Sequence, residues 1–570
     1  MCSMKKTVAI CPLLFVGAYA SRLASNLTVD LGYSIYKGVY NETTGLGVWK
    51  GIRYAAAPIG DLRWRAPQPP IVSRNVTSAT TFASNCPGTY PSWPNAPSFP
   101  GNEDCLFLNV YSPPVNNRSE LPVLVWIHGG GYGYGDGTQD LSEIINANDQ
   151  GFVGVTIQYR LNAFGFLSSK DLVEDGVANA GLLDSAFALK WVQKHIGKFG
   201  GDPKRVTISG QSAGAGTVSL LSIAEGGSLS EVLFAKGIYA SPYHPAQYDF
   251  DDPEPTGRYY DLASTVGCGS SGSVLECLRS KDTETIFEAA INVTANATYG
   301  VFPFQPVTDY KFITSRLSDA LESGQVGSQN ALVGNNADES PYFVPYGIST
   351  LENLTDWLHL EFPRFSDADI EAVLAAYPSP DTPDDPTAPK YATSGNGYPT
   401  AINVSSVATG HQQRAYDIYS EIVMDCPSYW INDAHKPNKS YHYQYSVPFA
   451  IHGADIPAYF GPITPNQSPE FSTVFKSIWG NFIKRGNPSI ASESALAHWP
   501  EWVAGDRSKL VNLNETGGVP YEMPSLWGNV TQYTEPGLEN DFSIANAYTW
   551  EGGRGARCEF WKSVASKIPI

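Results

Sequence analysis

The chain has 570 residues, 42 % of them apolar, ample for a large buried core. Its 56 acidic against 37 basic residues leave a formal charge of −19, which favours solubility and repels nucleic acid and anionic membrane surfaces. Polyanion binding is not expected on that ground.

The first residues, MCSMKKTVAICPLLFVGAYAS, place Lys5 and Lys6 before an apolar run from Thr7 to Ala18, closed by the small-x-small pattern Ala18-Tyr19-Ala20. Residues 1–20 therefore read as a secretory signal cut after Ala20. The run is well short of the ~20 residues needed to span a bilayer, and no comparable span follows, so no membrane anchor is expected. Cys2 and Cys11 leave with the signal. Six cysteines remain, Cys86, Cys105, Cys268, Cys277, Cys426 and Cys558, an even number that in a secreted chain suggests disulfides, although composition alone leaves the pairing open. None lies in a C-x-x-C arrangement, which weakens a zinc or dithiol redox reading.

Sequons at Asn26, Asn41, Asn75, Asn117, Asn292, Asn296, Asn353, Asn403, Asn438, Asn466, Asn514 and Asn529 fit passage through a glycosylating pathway. Length alone suggests three or four domains, but no clean seam or repeat is visible. The Pro- and Asp-rich stretch 378-PSPDTPDDPTAPK-390 reads as a surface loop. Residues 21–570 are therefore expected to form one domain with insertions.

Three apolar runs organise the first half. Val123 to Ile127 ends in 128-HGGG-131, Val153 to Tyr159 is a second, and Val206 to Ser209 leads directly into 210-GQSAGAG-216. Runs this apolar, rich in β-branched residues, predict central strands covered on both faces. Between the last two, residues 182–199 place Leu183, Phe187, Trp191 and Ile196 at helical spacing. Strand, helix, strand predicts a parallel α/β sheet.

Gly-x-Ser-x-Gly means little alone: with 53 glycines in the chain, about 0.3 to 0.5 matches arise by chance. Its setting is informative. Ser212 lies between an apolar strand and a helix expected from Ala213, where glycines at 210 and 214 allow a tight turn that lifts the hydroxyl above the sheet. A serine hydroxyl needs a base to take its proton and an acid to orient that base, in the chain order Ser, acid, His. Downstream, 331-ALVGNNADES-340 offers Asp338 and Glu339 after a strand. His452 lies in a glycine-flanked turn, 450-AIHGADIP-457, after the strand-like 440-SYHYQYSVP-448. The glycines of 128-HGGG-131 suit an oxyanion hole, because main-chain N–H groups without Cβ shielding can approach the charge.

Taken in order, 50-KGIRYAAAPIGDLRWRAPQPP-70, 103-EDCLFLNVYSP-113, 126-WIHGGGY-132, 159-YRLNAFGFL-167, 179-NAGLLDSAFALKWV-192 with 199-FGGDP-203, 206-VTISGQSAG-214, 337-ADES-340, 452-HGADIP-457, 479-WGNFIKRGNP-488 and 557-RCEFW-561 resemble the type-B carboxylesterases, the cholinesterase and fungal lipase family of α/β-hydrolases. The likeness covers most of the mature chain. It implies an α/β-hydrolase fold with a large, mostly parallel sheet, Ser212 as nucleophile, His452 as base, Glu339 rather than Asp338 as acid, and Gly130, Gly131 and Ala213 as oxyanion amides. It also implies a supporting role for Ser241 and disulfides Cys86–Cys105, Cys268–Cys277 and Cys426–Cys558. Neither metal nor cofactor is needed.

Departures from the family pattern bear on the substrate. Gln211 stands where cholinesterases carry Glu, so the charge favouring a quaternary ammonium ester is missing; Trp93 lies in the 86-to-105 loop, where cholinesterases keep a choline-stacking Trp, but its spacing to Cys105 differs from theirs, so packing or loop anchoring is expected ahead of cation binding. Residues 87–104 are short and proline-rich, without the helical apolar face of a lipase lid, which disfavours interfacial activation. Ser340 replaces the glycine usual after the acid and would be strained if the backbone there needed a positive φ. The expected activity is hydrolysis of soluble carboxylic esters through an acyl-enzyme. The alternatives are a lipase or sterol-ester hydrolase, and a catalytically inactive binding protein of the same fold.

Overall fold

Among the described residues eleven strands form one sheet, and its centre consists of the apolar runs picked out in the sequence. The computed structural model describes residues 27–114, 120–327, 330–378, 407–408, 410–435, 439–448, 450–526 and 528–568. The expected signal segment and most of the stretch 378–390 lie outside them.

In chain order the strands are β1 (Val39–Asn41), β2 (Leu46–Arg53), β3 (Phe107–Ser112), β4 (Leu121–Ile127), β5 (Val153–Ile157), β6 (Gly201–Gln211), β7 (Lys236–Ala240), β8 (Asn330–Asn336), β9 (Lys439–Tyr445), β10 (Lys509–Ser525) and β11 (Gly528–Asn546). Across the sheet they run β11-β10-β9-β8-β7-β6-β4-β5-β3-β2-β1. From β10 to β5 every pairing is parallel, and the outer pairings are antiparallel.

Alternation along β4 shows why the central strands are apolar throughout. Val123, Val125 and Ile127 enter the core on one face, while Leu124 and Trp126 enter the core on the other. The first face is covered by α1 (Ala180–His195) and α2 (Ala213–Ile223), the second by α4 (Pro469–Arg485), which contributes Phe471, Phe475 and Trp479. Between them in the chain lies α3 (Leu351–Glu361), which buries Leu354, Trp357 and Leu358.

The helix expected over 182–199 is α1, which begins at Ala180 and tightens into a 3-10 turn at Ile196–Phe199; Gly200, with φ 84°, ends it in the left-handed conformation. The α1 helix is buried on nearly all sides rather than along one stripe. Its outer side is covered by the N-terminal segment, where Tyr33 accepts a 2.9 Å hydrogen bond from Trp191 Nε1.

Disulfides join Cys86 to Cys105, Cys268 to Cys277 and Cys426 to Cys558, with Cα separations of 5.0, 5.6 and 5.0 Å. Inside the first, Gly88–Thr89 pairs with Ser98–Phe99 as a small ribbon, and none of the 87–104 segment is helical. Among the described residues no helix is long and apolar enough to cross a membrane.

Candidate active site

At the end of β6 the chain reverses into α2 within one residue. Ser212 sits at that point with φ 59° and ψ −131°, a conformation rarely populated by residues with a side chain. Close packing holds it there. A Cβ on Gly210 would lie 2.2 Å from the carbonyl carbon of Gly214, and one on Gly214 would lie 2.1 Å from the oxygen of Ile127. The Ser212 N–H donates to Ala240 O at 3.0 Å, tying the turn to β7. Ala213, first residue of α2, presents an amide that has no partner within the helix.

The loops after β8 and β9 are joined through their backbones. Asp338 pairs with Ile451 as a parallel bridge, its N–H donating to Ala450 O at 3.0 Å, and Asn336 Nδ2 donates to Ile451 O at 2.7 Å. This register sets Glu339 beneath His452. His452 Nδ1 donates to Glu339 Oε2 at 2.6 Å, and Glu339 Oε1 accepts from the Asn336 N–H at 2.5 Å. Glu339 is completely buried with both oxygens engaged, so it meets His452 in one orientation. The carboxylate facing the imidazole is Glu339 and not its neighbour Asp338.

With Nδ1 as donor, Nε2 carries the lone pair. That lone pair accepts from Gln211 Nε2 at 3.3 Å rather than from Ser212 Oγ. Ser212 and His452 nonetheless face the same cavity of about 390 Å³, with Gly130 and Gly131 on its wall and Trp93, Tyr134, Phe302 and Phe343 among its aromatic groups. Phe343 meets the His452 ring edge-on at 5.4 Å.

The 128–131 loop lies against the turn: a Cβ on Gly129 would stand 2.8 Å from Ser212 Cβ. Gly130 and Gly131 have φ of 99° and 61°, and Gly130 O accepts from the N–H groups of Gly133 and Tyr134. His128 is a packing residue here. It stacks on Tyr159 at 4.5 Å, its Nδ1 faces Gly129 O at 2.9 Å, and burial pushes its pKa down, favouring the neutral ring.

Ser241 follows β7 with φ 47° and is buried, but among the described residues its Oγ has no hydrogen-bond partner and so does not brace Glu339 or His452. Ser340 escapes the strain considered for it: its φ is not positive, and its Oγ donates to Tyr416 O at 2.6 Å. Trp93 borders the cavity and anchors its loop by donating from Nε1 to Tyr342 O at 2.9 Å. Of the sequons, Asn26, Asn117, Asn403 and Asn438 lie outside the described residues, and Asn41, Asn75, Asn292, Asn296, Asn353, Asn514 and Asn529 are at least partly exposed. Asn466 is a correction: it is buried and its Nδ2, the atom glycosylation would use, donates to Pro448 O at 2.7 Å.

Sequence reasoning did not single out Gln211 as a partner of His452, Asn336 as a donor to Glu339, or Asp455. Asp455 is buried near the acid, and burial together with the negative charge of Glu339 pushes its pKa from 3.8 up to about 7. The folded state therefore binds this proton more tightly than the unfolded state. The resulting stability is complete below about pH 4 and is lost as pH rises toward 7. Asp455→Asn is expected to gain stability relative to the parent on going from pH 4 to pH 8, by up to about 4 kcal/mol. Urea unfolding of both proteins at the two pH values checks this; an unchanged difference between them would show that Asp455 ionises without penalty.

The carboxylesterase family profile matches residues 26–524. Acetylcholinesterase of Danio rerio is 29 % identical over 519 residues, covering 81 % of this chain and 80 % of that one. Secreted lipase 4 of Gibberella zeae is 28 % identical over 507 residues, covering 85 % and 87 %. The crystal structure of Aspergillus niger EstA superposes with a TM-score of 0.75 at 26 % identity, covering 95 % of this chain and 99 % of that one. A profile match over most of the length, on a sheet and cavity of this kind, places the chain in the carboxylesterase family, as an ester hydrolase with the α/β-hydrolase fold.

Proposed function

We propose that the protein is a secreted serine carboxylesterase that cleaves soluble esters through an acyl-enzyme on Ser212. The observation that carries this reading is the buried Glu339–His452 hydrogen bond beside the Ser212 turn, in a cavity shared with the 128–131 loop.

Glu339 holds His452 with Nδ1 protonated and Nε2 as base. For reaction the Nε2 lone pair turns from Gln211 to the adjacent Ser212 Oγ, a small movement of the kind by which catalytic hydrogen bonds tighten once substrate is bound. Oγ attacks the ester carbonyl carbon as its proton passes to Nε2. The carbonyl oxygen takes the negative charge and receives hydrogen bonds from the amides of Gly130, Gly131 and Ala213. Collapse breaks the bond to the alkoxy oxygen, which leaves as alcohol with the proton from Nε2. Water, deprotonated by the same nitrogen, then attacks the acyl-enzyme and releases the carboxylic acid.

Soluble esters are favoured over lipid aggregates because the 87–104 segment is a disulfide-closed ribbon without an amphipathic helix. A cavity of about 390 Å³ suits small or medium esters. The three disulfides, the exposed sequons and the secreted relative support an extracellular setting.

The test is labelling with a fluorophosphonate, followed by mass mapping. A single adduct on the peptide containing Ser212, with loss of esterase activity in step, is expected. An unlabelled protein, or an active protein labelled elsewhere, would overturn the proposal.

A further inference from the structure

Tyr243 and Phe302 separate the catalytic cavity from a second one of about 350 Å³. On the wall of this second cavity lies Glu361, the last residue of α3. Among the described residues nothing hydrogen-bonds or ion-pairs its carboxylate. The rings of Tyr243, Tyr248 and Tyr419 border the same cavity, close enough for the Glu361 charge to act on each hydroxyl. Glu361 is partly buried, and its desolvation without a counter-charge pushes its pKa up to about 7.

The surroundings leave this carboxylate short of positive charge. It sits at a helix C-terminus, where unpaired carbonyls add negative potential and favour a cation. Arg258 and Glu254, also on the cavity wall, pair with each other at 2.8 Å. Arg364, over the Tyr248 ring, pairs with Asp252 at 2.8 Å. His244 faces Ser219 Oγ at 3.1 Å and is held neutral by burial, its pKa pushed down to about 3. An unpaired carboxylate in a cavity bordered by three tyrosine rings is a setting that recognises an organic cation.

We propose that this cavity is a binding site for an organic ammonium ion, with the cation against Glu361 and its apolar groups against Tyr243, Tyr248 and Tyr419. The ammonium belongs either to a free ligand or to the far end of an ester that reaches past Tyr243 and Phe302 from Ser212. The site does not depend on the hydrolytic reading, since binding is measured without turnover.

The probe is phenyltrimethylammonium, titrated calorimetrically into the full chain, both untreated and treated with fluorophosphonate. A fluorophosphonate-insensitive Kd that weakens about tenfold or more in Glu361→Gln is expected, and Tyr248→Leu, which spares the carboxylate, should weaken binding by about threefold. Hydrolysis of a neutral aryl ester and of an ester with a terminal trimethylammonium separates the two sources. A KM rise in Glu361→Gln confined to the charged ester identifies a substrate end, and no change for either identifies a free ligand. Thermal melts establish that each variant is folded. Equal Kd for the parent and both folded variants, or no binding by the parent, would overturn the proposal.

Discussion

Replacing Ser212 by alanine is expected to lower kcat/KM for an aryl ester by about 10⁵- to 10⁶-fold while leaving the fold intact. The loss is large because, in the mechanism proposed above, the base, the acid and the oxyanion amides act through one Oγ, and none of them can form the acyl-enzyme without it. The fold survives because that Oγ is not the partner of His452, which hydrogen-bonds to Gln211 instead. The turn is held by backbone: Ser212 N–H to Ala240 O at 3.0 Å, and Gly216 N–H to Ser212 O at 2.9 Å. Alanine also carries a Cβ, so the cost of φ 59° is unchanged. Steady-state kinetics with a thermal melt checks this, and a variant keeping a tenth of the parental rate would remove Ser212 from the reaction.

Gly130→Ala is expected to lower kcat by about 10²- to 10³-fold with little change in KM, the effect of displacing one oxyanion donor. A Cβ there would stand 2.1 Å from the backbone oxygen of Tyr134, at a φ of 99°. Tyr134 cannot withdraw independently, because its own N–H donates to Gly130 O at 3.0 Å. The loop must therefore shift as a unit and carry its amides with it. Gly257→Ala is the control: its Cβ would meet nothing within 4 Å. Equal kcat for the two variants would show that the 128–131 amides do not carry the oxyanion.

The parts of this architecture legible in the sequence are those fixed by local pattern. The runs at 123, 153 and 206 read as covered strands because β-branched residues fill both faces, and they became β4, β5 and β6. The Ser212 turn was legible because the crowding at positions 210 and 214 admits only glycine. The β10–β11 hairpin was not: much of it is solvent-exposed and lacks the apolar signal that marks the central strands. Nor was the hydrogen bond from Gln211 to His452, which joins side chains 241 positions apart and depends on their rotamers. Asn336 illustrates the same limit. Its backbone N–H reaches Glu339 Oε1 only because of how the loop turns after β8, and its residue type does not announce the contact.

The loop closed by Cys86–Cys105 brings Trp93 to the rim of the catalytic cavity, yet supplies no strand of the large sheet and none of the groups that would move protons. The ring at the cavity rim and the residues proposed to carry the chemistry thus come from separate parts of the chain. A change in the ribbon's length or rings would therefore reshape the cavity rim while leaving the segments that carry Ser212, Glu339 and His452 untouched.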